Sequence, residues 1–174
     1  PIPPVPKEQA AEDIKPIYET MERNYGRVPN FFGSMAHRPD VLKNFLPFYR
    51  SITAEGTIEP RYKELAYLKA STLNGCEYCT RAHTAGGKKA GLTDEEIKAI
   101  PFYHRSNLFD EKDKATLLYA ERVTRGAAGI REGSIEELKK YYSVDQIVEL
   151  TLVIAVANFT NRMNDALQNE PDLG

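Results

Sequence analysis

The sequence predicts an all-α fold. Apolar residues recur at intervals of three and four along most of the 174 residues. Helix start signals and Gly or Pro stops punctuate that recurrence at regular intervals. No stretch shows the two-residue alternation of a half-buried strand. Eight or nine helices are expected, in one domain over residues 1–174, a length that suits a single sizeable core.

Taken in order, residues 1–6, PIPPVP, read as an extended arm, because proline fixes φ and removes a donor. A helical pattern starts at Lys7, with Ile14, Ile17, Tyr18, Met21 and Tyr25 in step, Pro16 as a kink point and Gly26 as the stop. Phe31, Phe32 and Met35 mark a short second helix. Pro39 opens a third, in which Val41, Leu42, Phe45, Leu46, Phe48 and Tyr49 are too dense for one face and predict deep burial. Near Thr57 or Glu59 a new N-cap precedes Pro60, which fits a first helical turn. Leu65, Ala66, Leu68, Ala70 and Leu73 then supply an apolar face, and Asn74-Gly75 stops the helix.

The next helix is expected over about 76–90, closed by Gly91. Thr93 with Glu96 forms a capping box for a helix that stops at Pro101. Residues 102–110 read as a loop. Ala115, Leu118, Tyr119 and Val123 place a helix from Asp110 to about 125, broken by GAAGIREG. A second S-x-x-E box starts a helix at Ser134. The last helix begins near Val144 and runs to about Leu167; its apolar run over 150–159 is shorter than the ~20 residues of a membrane span and reads as a buried core helix. KELAYLKAS at 63–71 and VELTLVIAV at 148–156 align at an offset of 85, which sets residues 159–164 where the first segment has its cysteines.

Charged residues make up 28% and hydrophobic residues 41%, with a formal net charge of −2. This balance gives no footing for nucleic acid or an anionic membrane as partner. The amino end has no apolar h-region, so no secretory signal is read and the cytoplasm is expected. In that compartment a C-x-x-C pair is redox-active or metal-binding rather than a permanent staple.

Both cysteines of the chain, Cys76 and Cys79, lie in NGCEYCTRAH with His83, one of three histidines. On a helix these spacings put all three side chains on one stripe. Cys76 would sit in the first turn, where free N–H groups and the macrodipole favour a thiolate. If the chain reverses at Asn74-Gly75, Glu64 and His83 reach similar depths along two antiparallel helices that each rise ~1.5 Å per residue. Glu64 would then orient His83, and His83 would take the proton of Cys79, with a water filling any gap. The bland alternative makes Glu64 a surface charge, His83 a structural histidine and the cysteines small core groups. A zinc site of two thiolates, an imidazole and a carboxylate is a further alternative, although no second C-x-x-C or H-x-x-H element is present. His37 and His104 read as structural or exposed. Tyr67, Tyr78, Phe102 and Tyr103 read as core, or as walls of an apolar pocket near the thiols.

The pattern E-x(11)-C-x-x-C-x-x-x-H, as Glu64, Cys76, Cys79 and His83, resembles that of alkyl hydroperoxidase D-like proteins of the carboxymuconolactone decarboxylase-like superfamily. The resemblance is strongest over about 58–100, including NGCEYCTRAH and AGLTDEEI, and looser over 29–57 and 110–167. It implies an all-α homo-oligomer, trimer to hexamer, acting as a thiol-dependent peroxidase or disulfide reductase with no cofactor and no metal. Carried over, Cys79 attacks a hydroperoxide and becomes a sulfenic acid, and Cys76 supplies a proton and then resolves it as a disulfide. Glu64 and His83 form the proton relay, and a thiol or dithiol partner reduces the disulfide. One departure is Tyr78 between the cysteines, where such proteins often have histidine. The competing functions are a zinc-binding or redox-sensing assembly module without turnover, and lactone decarboxylation, whose branch of the superfamily generally lacks the cysteine pair.

Overall fold

A computed structural model describes residues 1–54 and 56–173. Among the described residues there are nine α-helices, a few short 3₁₀ turns and no strand. Helix α1 spans Lys15–Tyr25, later than the pattern from Lys7 predicts, since residues 7–9 form only a 3₁₀ turn. Pro16 therefore lies in the first turn, where its fixed φ suits the helix, and is not a mid-helix kink. The preceding arm is tied down: Tyr18 donates to the Val5 carbonyl at 2.9 Å and Val5 N–H to Gly33 O at 2.9 Å. Helix α2 is Asn30–Met35 and α3 is Pro39–Thr53. The deep burial expected for α3 is not found. Leu42, Phe45 and Ile52 are buried, but Val41 and Phe48 are 39% and 53% exposed, so α3 lies on the surface with one face inward.

Helix α4, Pro60–Asn74, is the centre of the molecule. Around it pack α5 (Glu77–Lys89), α7 (Glu111–Gly126) and α9 (Val144–Leu167). Leu65, Ala66, Tyr67, Leu68 and Ala70 are buried, and so are Lys63 and Lys69. A helix enclosed on all sides must find partners for its charges, because an unpaired buried charge is costly. Lys63 donates to Ile52 O at 2.7 Å and pairs with Glu149 of α9 at 2.7 Å. Lys69 pairs with Glu121 of α7 at 2.9 Å and lies over the Tyr103 ring. Arg61 joins Glu96 of α6 (Asp94–Ala99) at 2.6 Å to Asp113 of α7 at 2.9 Å. Glu149 also accepts from Thr57 and Ile58, which fixes the entry to α4.

The Thr93–Glu96 capping box opens α6 as expected. Beyond it the backbone continues as a 3₁₀ turn over Ile100–Arg105, so part of the expected loop is helical. Helix α8, Glu132–Leu138, starts before Ser134. The box expected there does not form: the Ser134 hydroxyl accepts from Arg122. Ser143 with Gln146 caps α9, whose Leu150, Val153, Ile154 and Ala157 are buried. No helix among the described residues is long and apolar enough to cross a membrane.

Arg61→Ala leaves Asp113 and Glu96 largely buried without their cation. Urea unfolding at neutral pH is expected to show a loss of about 3 kcal/mol.

Candidate functional site

The site begins where α4 stops. Gly75 has φ +73°, a left-handed conformation that favours glycine, and it turns the chain back along α4. Asn74 secures the turn by donating to Asn158 and Asn161 of α9, at 3.0 and 2.8 Å. Cys76 is the N-cap of α5 rather than a residue of its first turn, and its sulfur accepts from the Cys79 N–H at 3.4 Å. Both cysteines are free and buried, with their sulfurs 2.8 Å apart.

Two sulfurs at that distance share one proton, and their surroundings decide which keeps it. Cys76 donates its S–H to Cys79, and this hydrogen bond brings the Cys79 pKa down to about 7. Asn161 and Asn164 add hydrogen bonds that favour the thiolate, the latter at 3.2 Å, and His83 adds charge; burial opposes them. Cys76 is pushed far up by the same shared bond and by burial. The anion thus resides on Cys79, not on Cys76, where the helix-terminus argument placed a stabilised thiolate.

Glu64 and His83 meet across α4 and α5, His83 Nδ1 lying 2.9 Å from Glu64 Oε2. A carboxylate there makes Nδ1 a donor, so the ring proton that can come and go is the one on Nε2. The approach depends on Gly86: a Cβ at that position would sit 2.6 Å from Glu64 Oε1. The His83 ring stacks on Tyr67 with centroids 3.4 Å apart, and Nε2 faces the Tyr49 hydroxyl at 3.4 Å. Tyr67 is held in turn by Thr160 of α9. Among the described residues no hydrogen bond joins His83 directly to Cys79. They face each other across a cavity of about 60 Å³, walled by Phe31, Phe32, Tyr49, Tyr67 and Tyr78. This is room for about four waters.

The four residues singled out by spacing, Glu64, Cys76, Cys79 and His83, therefore lie together. Of the aromatic candidates, Tyr67 and Tyr78 wall the cavity, whereas Phe102 is 64% exposed and Tyr103 sits under Lys69. Tyr78, between the cysteines, accepts the Phe31 N–H at 3.2 Å and fastens α2 to α5. His37 is exposed and bonded to Pro3 O, and His104 is exposed; neither reaches the site. Sequence reasoning missed Tyr49, Gly86, Thr160, Asn161 and Asn164. The last three fall in the stretch 159–164 that the offset of 85 sets opposite the cysteines, and this was the available signal. Among the described residues no group of three or more His, Cys, Asp or Glu side chains is disposed to hold a metal ion.

This helical body, with a buried dithiol on the turn between two central helices, is similar in fold to known proteins. Residues 39–122 match the Carboxymuconolactone decarboxylase family. The fold is that of the alkylhydroperoxidase AhpD core, as in a peroxidase-related protein from Ralstonia eutropha JMP134, with a TM-score of 0.88, 22% identity and 99% and 93% of the two chains covered. The debrominase Bmp8, crystallised with 2,3,4-tribromopyrrole as its C82A variant, superposes with a TM-score of 0.83 at 24% identity, covering 98% and 91%. YdfG of Bacillus subtilis (strain 168) is 26% identical over 118 residues, 67% of this chain and 80% of its own. The chain thus has the fold of the alkylhydroperoxidase AhpD core, with a Carboxymuconolactone decarboxylase family match over residues 39–122.

Alkylation of Cys79 by iodoacetamide is expected to rise with pH and to be half-maximal near pH 7. Asn164→Ala removes a donor to the thiolate, so the half-point moves up by about one pH unit. In Gly86→Ala the new Cβ displaces the Glu64 carboxylate; ¹⁵N spectra of His83 should then lose the downfield Nδ1 proton of a carboxylate-bonded imidazole, with the circular dichroism unchanged.

Proposed function

We propose that the protein is a thiol peroxidase that reduces hydroperoxides through Cys79 and Cys76. The observation that carries this reading is the asymmetric sulfur pair: one thiol close to ionisation at neutral pH, the other held protonated 2.8 Å away. Thiolate is the nucleophilic form of cysteine. The Cys79 sulfur attacks the outer oxygen of the peroxide, an S–O bond forms, the O–O bond breaks, and an alcohol leaves once its oxygen is protonated. Cys79 is now a sulfenic acid. The negative charge that held the Cys76 proton in place has gone, so Cys76 becomes free to ionise. Its sulfur attacks that of Cys79, water leaves, and an internal disulfide results. Two electrons from a thiol or dithiol partner restore the pair.

Glu64 and His83 serve as the proton store: Cys79 gives its proton to His83 Nε2 across the cavity, through a water, and Glu64 holds the resulting imidazolium. The peroxidase-related Ralstonia protein supports the reading through its shared fold. The debrominase Bmp8 marks the other chemistry on this scaffold. Lactone decarboxylation has no use for two thiols sharing a proton. The reading places the protein in a reducing compartment such as the cytoplasm. It also takes the exposed apolar side chains Phe48, Val148, Leu152 and Phe159 of α3 and α9 as the contact between copies in a homo-oligomer.

Cys79→Ser is expected to abolish consumption of hydroperoxide, and retained turnover would reject the assignment. Cys76→Ser should give one burst of oxidation per chain, with a sulfenic acid trapped at Cys79 by dimedone, and no disulfide by mass spectrometry.

A further inference from the structure

We propose that the Tyr49 hydroxyl is the general acid that protonates the leaving oxygen when the Cys79 sulfur attacks a peroxide. The inference rests on the peroxidase reading and adds to it the donor that the Glu64–His83 pair does not itself provide. Tyr49 comes from α3 and lines the same small space as Cys79. Its hydroxyl is 3.4 Å from His83 Nε2, the ring nitrogen that the Glu64 bond leaves open. That distance is long for a resting hydrogen bond, as in many unliganded sites. The ring is fixed by stacking on Phe45, with centroids 5.3 Å apart and planes 28° from parallel. The ring is half-buried, and its hydroxyl lies against His83 beside the cavity. Burial pushes its pKa up and is opposed by a hydrogen bond with Tyr67, so the phenol is protonated when a peroxide arrives.

The geometry also explains how this proton becomes available at the right moment. While His83 is neutral, Nε2 accepts and holds the Tyr49 hydrogen. Once His83 has taken the Cys79 proton, Nε2–H donates to the Tyr49 oxygen, and the phenolic hydrogen turns into the cavity. Attack then forms the S–O bond and breaks O–O. The outer oxygen, with its own hydrogen, stays on sulfur as the sulfenic acid. The departing alkoxide takes the Tyr49 proton, and the phenolate is refilled from His83 Nε2. The sum is thiol plus hydroperoxide giving sulfenic acid plus alcohol, with His83 and Tyr49 returned to their starting states.

The test is single-turnover oxidation of the reduced full chain by two oxidants. tert-Butyl hydroperoxide expels a strongly basic alkoxide that needs a proton; peracetic acid expels a carboxylate that does not. Tyr49→Phe is expected to slow the first reaction by about 10²-fold or more and to leave the second within about twofold. Equal slowing of both, or of neither, overturns the assignment. A wild-type protein inert to both oxidants overturns instead the peroxidase reading beneath it. Should Tyr49→Phe fail to fold, the wild type still decides. With an internal acid its rate varies little across alkyl hydroperoxides whose leaving alcohols differ in pKa, and a steep fall with rising alcohol pKa overturns the proposal.

Discussion

The reversal at Gly75 is the constraint on which the site depends. It folds α5 back along α4, the helix around which α5, α7 and α9 pack. Every polar side chain on such a helix needs a partner from a neighbour. Arg61, Lys63 and Lys69 find acids on α6, α7 and α9. Glu64 is the acid of α4 turned the other way, and the returning α5 offers it a base, His83. The glycine one turn further along α5 gives its carboxylate room. The carboxylate–imidazole pair is thus a consequence of how an enclosed helix satisfies its charges, and the chemistry of the site is built on that satisfaction.

The same economy governs the sulfurs. A lone buried thiol is driven away from ionisation by desolvation. Here a second thiol supplies the proton that a buried anion requires, and the order of events follows from that sharing. Cys76 is held protonated while Cys79 is an anion beside it, and the proposed oxidation of Cys79 would release it. The pair needs no large movement between its steps, since the sulfurs are already within 2.8 Å. On the proposed peroxidase reading, oxidation of Cys79 itself switches the second nucleophile on.

Much of this was legible in the sequence because it is local. The cap at Thr93, the stops at Gly26 and Gly75, and the i, i+3, i+7 stripe of Cys76, Cys79 and His83 depend on near neighbours in the chain. The meeting of Glu64 with His83 needed one further premise, a turn between two helices of known rise. What escaped was set by tertiary contact. The apolar density of α3 suggested burial, yet Val41 and Phe48 face outward, because periodicity cannot say how many neighbours a helix has. The expected cap at Ser134 lost to an arginine on another helix. Tyr49 was read as one more apolar residue, since nothing within its own helix reveals that its hydroxyl faces a histidine 34 residues away.

The donor to the Cys79 sulfur shows how far such dependence extends. An amide side chain can present either its oxygen or its nitrogen, and only the nitrogen favours a thiolate. The Asn164 oxygen accepts from Asn169 at 2.9 Å, which leaves its nitrogen for Cys79. Asn169 is placed because α9 ends at Gln168 in a left-handed conformation, φ +55°, that turns the chain back over the site. That returning segment is anchored on α2, where Asn169 meets Ser34 and the Asn30 N–H donates to Asp172 at 2.9 Å. The ionisation of a sulfur on α5 is therefore fixed in part by a strap held on α2. A change at Ser34 or Asn30, out of contact with either cysteine, reaches the thiolate through the orientation of one amide.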